Sequence, residues 1–197
     1  MPLEREVASL AIDLTQLHRR TVTSFYSNLV TRPTGRAIRM GVESQLGEME
    51  AGRRLCLSVL DFAQVQVMDY SCADEIVAKL LLRYSADDRP TEAYFIARGL
   101  EEHHREAIEA VLERHSLLLV VQGDGDESHL LGPSNPVERA CWTALARLEQ
   151  ANVEGIAAAT AVAEDAVLPT LMKLASQRVA VALRGGFFCS LPRLARG

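Results

Sequence analysis

Residues 55–84, LCLSVLDFAQVQVMDYSCADEIVAKLLLRY, constrain the fold more than any other stretch of this chain. The apolar run into Asp61 has the length and composition of a buried strand, and a second short run through Val65 and Val67 reaches Asp69. Ser71 then opens an amphipathic helix, in which Ala73, Ile76, Val77, Leu80, Leu81 and Tyr84 recur at a spacing of about 3.6 residues. A hydroxyl at a helix N-terminus has free backbone N–H groups beside it, and the macrodipole there favours negative charge. A phosphate placed on Ser71 would be accommodated by the backbone itself. The plainer reading makes Ser71 an N-cap, worth about 1 kcal/mol, and Asp69 the end of a strand.

This layout resembles STAS domains, the anti-anti-sigma-factor type of regulatory module. In those, a strand ending in Asp leads to a D-S-S-G-L element whose second Ser is phosphorylated by a partner kinase. Here the element reads Asp69-Tyr70-Ser71-Cys72-Ala73, so Asp69 and Ser71 fit while Tyr70 and Cys72 depart. The DF…S-x-A-D-E run (Asp61, Phe62, Ser71, Ala73, Asp74, Glu75) is similar to STAS-like domains of unknown function. The resemblance implies an α/β fold with helices packed on a sheet and a partner surface or phospho-switch at Asp69, Ser71 and Asp61. It also implies a regulatory protein partner, for which a kinase-type, anti-sigma-like ATPase is the model class.

Upstream, Ala8, Leu10, Ile12 and Leu14 alternate as a strand would, and Leu3, Val7, Leu10, Leu14 and Leu17 recur as a short coiled-coil seam would. The strand is the better fit, because the seam is too short for three or four heptads. From Thr15 the pattern is helical, with Val22, Phe25, Tyr26, Leu29 and Val30 on one face. Pro33 is expected to stop that helix and Thr34 to cap the next, which carries Ile38, Val42 and Leu46. Downstream, SADDRP at 85–90 is a loop, 93–97 a strand, and about 100–115 a helix with Leu100, Ile108, Val111 and Leu112 inward. Leu117–Val121 is a buried strand and GDGDE at 123–127 a hairpin turn. Alternating strands and helices indicate an α/β sheet.

Gly132-Pro133-Ser134-Asn135-Pro136 is the best boundary, dense in turn formers with Asn135 as a helix cap. It divides an α/β domain (1–132) from a smaller α+β domain (136–197). The second segment reads as three helices and a hairpin. The first helix (136–150) is expected to bury Val137, Cys141, Leu145 and Leu148, with Trp142 on its flank. A short helix at Val153–Ala157 and a third at 164–177 follow, then Val179, Val181 and Leu183 alternate before the turn Arg184-Gly185-Gly186. The pattern resembles the winged helix-turn-helix of bacterial transcription regulators over about 60 residues.

Three further groups could carry chemistry. Arg32, Thr34 and Arg36, with Gly35 and Arg39, could hold a phosphate or carboxylate at a helix start, although no Walker lysine accompanies them. The plainer alternative pairs these arginines with Glu43 or Glu48. Glu101 and His104 form one E-x-x-H pair with His103 adjacent, but a metal site needs more ligands and none is evident. In the third helix of the second segment, Glu164 and Asp165 would face DNA, and two carboxylates repel phosphates. Lys173, Arg178 and Arg184 are the candidates for phosphate contact, and Arg193 and Arg196 add charge nearby.

Charge is distributed accordingly. Residues 136–197 carry 7 Lys/Arg against 5 Asp/Glu, and the first 135 carry 14 against 21. A net of +2 in the tail is too small to demand nucleic acid. No apolar run reaches the roughly 20 residues of a membrane span, and four scattered cysteines form no C-x-x-C pair, as in a reducing cytoplasm. No catalytic triad, nucleophile elbow or dinucleotide fingerprint is visible. The sequence therefore reads as a cytoplasmic, non-enzymatic regulator without cofactor or metal, binding a protein partner and little or no nucleic acid, with a homodimer among its permitted states. The second reading is a DNA-binding transcription regulator whose first domain is a sensor or dimeriser.

Overall fold

Thr, Val, Phe and Tyr crowd the segment RRTVTSFYSNL, and such residues suit a pleated, half-buried surface. In the computed structural model, which describes residues 19–48, 55–123, 125 and 127–196, this segment is strand β1 (Arg19–Leu29). The expected helix from Thr15 is thus corrected: Phe25 and Leu29 are buried in a strand that runs parallel to the next one from Arg19↔Cys56 to Leu29↔Met68. The expected strand or seam at 8–14 lies outside the described residues. Helix α1 (Arg32–Glu48) begins with Pro33 in its first turn, where a missing N–H costs nothing, so Pro33 starts this helix instead of ending another. Val42 and Leu46 are buried as expected, and Ile38 packs beside them.

The two apolar runs of the central stretch form one 13-residue strand, β2 (Cys56–Met68). It leads into a helical rod, α2, made of an α-turn (Tyr70–Ala73), a π-helical segment (Asp74–Ala78) and an α-helical end (Lys79–Ser85). Then come β3 (Ala93–Arg98), α3 (Glu102–His115), β4 (Leu119–Gln122) and β5 (Ser128–Leu131). The sheet has the order β1-β2-β3-β4-β5; the first four strands are parallel, and β5 returns antiparallel to β4 through the expected turn. Of that turn, Asp124 and Asp126 lie outside the described residues.

The remainder comprises α4 (Pro136–Leu148), β6 (Gln150–Ala151), α5 (Val153–Thr160), α6 (Glu164–Ser176), β7 (Ala180–Ala182), β8 (Phe188–Ser190) and α7 (Leu191–Arg196). Asn135 caps α4 as expected: its side chain accepts from the Glu138 N–H at 2.8 Å, and Glu138 reciprocates. The short strand β6, absent from the sequence reading, pairs with β8 to give the antiparallel order β6-β8-β7. The inward face of α4 also differs from expectation. Val137 and Leu148 are exposed, while Trp142 is buried beside Cys141 and Leu145 and donates its indole N–H to the Val179 carbonyl at 2.9 Å.

Strand alternation explains how these parts are layered. On β2, Cys56, Leu60 and Phe62 point into a cluster closed by α1, α2 and α3, with Phe95 and Ala97 of β3 and Val121 of β4. Leu57 points the other way, with Tyr94, Ile96, Val120 and Leu130, into a cluster closed by Trp142, Leu145, Val181 and Leu191 of the C-terminal segment. The Gly132–Asn135 connection therefore marks a change of layer, from the sheet to the elements covering its second face. Arg178 reinforces that contact. It is buried, pairs with Glu92 just before β3, and stacks 4.7 Å from the centre of the Tyr94 ring.

Candidate functional site

The tip of the β1–β2 pair gathers most of the polar chemistry. Asp69 follows β2 directly and has extended backbone (φ −88°, ψ 165°), so Asp69, not Ser71, is the N-cap of α2. Its Oδ1 accepts from the Cys72 N–H at 2.8 Å and from the Ser71 hydroxyl at 2.8 Å. Its Oδ2 accepts from the Thr31 N–H at 3.0 Å, in the turn that follows β1. Thr31 has φ +78°, a conformation that a β-branched residue adopts only when its surroundings enforce it. The Asp69 carboxylate and the Cys72 thiol, which donates to the Thr31 carbonyl at 3.0 Å, are those surroundings. Burial alone would raise the Asp69 pKa, but the hydrogen bonds from Thr31, Cys72 and Ser71 outweigh it and hold the carboxyl below its ordinary value. Burial beside that negative charge pushes the Cys72 thiol up to about 11, so Cys72 is an inert packing group.

Behind the tip, the π-helical segment presents two buried carboxylates, Asp74 and Glu75. A π-turn inserts a residue into the helical ladder and re-aims the side chains around it. Arg32 Nη1 donates to Asp74 Oδ2 at 2.9 Å and to Glu75 Oε1 at 3.0 Å. His115 Nε2 lies 2.9 Å from Asp74 Oδ1; Lys79 also pairs with Glu75, and Arg39 bridges Glu75 to Glu43. Burial opposes ionisation of Asp74 and Glu75, yet His115 and Arg32 around the first, and Lys79 and Arg32 around the second, keep both below the usual carboxylate range. Sequence reasoning left this network unassembled, although two adjacent carboxylates in an otherwise apolar helix were a visible signal.

The network also places the expected anion group. Arg32 is committed to two carboxylates, and the Thr34 hydroxyl lies 3.1 Å from that of Thr31. Arg36 is exposed and makes no ion pair among the described residues. Asp61 lies apart from Asp69 and Ser71: it accepts from Arg98 Nε at 2.9 Å and Nη2 at 2.8 Å where β2 leaves β3. Around the tip, Val30, Val67 and Tyr70 are exposed apolar side chains, and Arg114 of α3 reaches the Tyr70 hydroxyl at 3.4 Å.

The other candidate groups take structural positions. His104 is buried and closes a capping box with Glu101, accepting from its N–H at 3.1 Å. Lys173 pairs with the buried Glu138, and Arg178 is enclosed by Glu92 and Tyr94, so Arg178 is inaccessible to a phosphate. Arg184 is exposed on the β7–β8 turn. Arg193 donates to Gln150, and Arg196 pairs with Glu149 at 2.8 Å. Glu164 and Asp165 are exposed at the start of α6. Among the described residues no single helix is long and apolar enough to cross a membrane. Compared with known protein families, curated proteins and solved structures, the chain matches none.

Proposed function

We propose that this chain is a non-enzymatic regulatory protein whose STAS-like half engages a protein partner through the Asp69–Ser71 tip, with a winged-helix-like second half. The observation that carries this reading is the tip itself. One carboxylate fixes two turns, and around it stand exposed Val30, Val67 and Tyr70, with Arg114 reaching the Tyr70 hydroxyl. An apolar centre with a charged rim is the composition of a protein contact surface. The connectivity of α4 to β8, with sheet order β6-β8-β7, supports the winged-helix label. The DNA-binding alternative is weakened by Arg178 and Lys173 being held in ion pairs and by Glu164 and Asp165 at the exposed start of α6. Affinity capture from the source organism with wild-type chain and with Tyr70→Ala tests the reading, with intact mass measured on the recovered bait. A protein retained by wild type and lost by Tyr70→Ala is expected; identical capture by both would remove the tip from the proposal.

A further inference from the structure

Where β3 and β4 end, a cleft of about 360 Å³ opens. Parallel α/β sheets receive ligands outside the carboxyl ends of their strands, and this volume lies at the lower end of small-molecule sites. Two guanidiniums, Arg98 and Arg105, line it, and Gly99, Gly123 and Gly125 leave much of the remaining wall to backbone. Gly99 is required by its surroundings. Its φ is +68°, and a Cβ there would lie 2.6 Å from the Ala63 nitrogen. The two arginines differ in what holds them. Arg98 is oriented by Asp61, which accepts from Nε and Nη2 and leaves Nη1 unused. Arg105 makes no ion pair among the described residues, and its charge, after burial itself, contributes to holding the neighbouring His129 below its ordinary pKa. Gln122, also in the wall, has a buried amide oxygen with no hydrogen-bond partner, and across the hairpin the buried His129 Nε2 has none either. Unsatisfied buried polar atoms are rare in native proteins, and a bound water or ion is one of the features that accounts for them.

We infer that this cleft is a binding site for a small oxyanion-bearing molecule, its phosphate or carboxylate held by Arg98 and Arg105. Guanidinium forks match both oxyanions in geometry, so the arginines set the charge class and the cleft sets the size.

Titration calorimetry on the full chain tests this, with inorganic phosphate and succinate as separate probes in matched chloride. Saturable binding of at least one probe is expected, and which one binds identifies the oxyanion. Arg105→Ala should weaken it by about tenfold, the loss of one charge-assisted contact, and Arg105→Lys by less. Arg139→Ala, exposed on α4, should leave it unchanged. The inference fails if neither probe binds saturably, if Arg105→Ala binds as wild type does, or if Arg139→Ala weakens binding equally and the effect is one of general charge.

Discussion

At Asp69 one carboxylate holds donors from two chain segments, the Thr31 N–H and the Cys72 N–H with the Ser71 hydroxyl. Asp69→Ala removes the helix cap and leaves Thr31 at positive φ without its anchor, so it should cost about 2 kcal/mol by urea denaturation. Ser71 is the second residue of the helix, and its hydroxyl already donates to Asp69. Ser71→Asp therefore sets two carboxylates side by side and should destabilise more than Ser71→Ala, with the difference shrinking in salt. Equal stability of the two variants would contradict the Asp69–Ser71 geometry. Protonation gives a second residue-scale test. Burial, then the charge of His103, lowers the His104 pKa; burial, then Arg105, lowers that of His129. Below the ordinary histidine value of about 6.5 the unfolded chain binds more protons than the native one, so stability should fall as pH drops from 7 towards 5. His104→Gln should show a shallower slope over that range. A separate loss should follow as pH falls below about 4, where Asp69, Asp74, Glu75 and Glu92, all lowered in the fold, take up protons.

Helix α1 carries its own comparison at the scale of an element. A Cβ on Gly35 would lie 2.9 Å from the Glu75 Cβ and 3.0 Å from the Cys72 Cα, whereas Gly41 and Gly47 face open space. Helix propensity favours alanine at all three by up to about 1 kcal/mol. Thermal denaturation should show Gly41→Ala and Gly47→Ala as stabilising and Gly35→Ala as destabilising, because α1 and α2 must move apart. A Gly35→Ala chain as stable as Gly41→Ala would refute that close approach. The elements also show what the sequence could and could not convey. The 3.6-residue stripe of α2, the turn at 123–127 and the Asn135 cap rest on local chemistry, and all were legible. β1 was not, since Val22, Phe25, Tyr26 and Leu29 satisfy a helical period as well as a strand's composition, and pairing with β2 decided between them. The cap was misplaced by two residues because Asp69 and Ser71 are both good cap formers, and only the backbone at Asp69 separates them. Arg178 looked like surface charge because Glu92, its partner, is distant in sequence.

Across the whole molecule, the two segments divided at Gly132–Asn135 cover one another's apolar surfaces. A chain ending at Asn135 would bare Leu57, Tyr94, Ile96, Val120 and Leu130 on the second face of the sheet. Exposed patches of that kind lead to aggregation, so such a chain should aggregate or melt without cooperativity. A soluble, cooperatively melting fragment would instead establish an independent first domain. Trp142→Ala in the full chain should cost about 3–5 kcal/mol and lower one shared transition, since the indole lies between α4 and the residues leading into β7. The central claim is the proposal that a partner binds at Asp69–Ser71. Hydrogen exchange on the full chain, alone and with the protein that wild type retains and Tyr70→Ala loses, tests it most directly. The account predicts slowed exchange concentrated in residues 30–36 and 67–72, with 153–187 unchanged; slowing confined to 153–187 would contradict it.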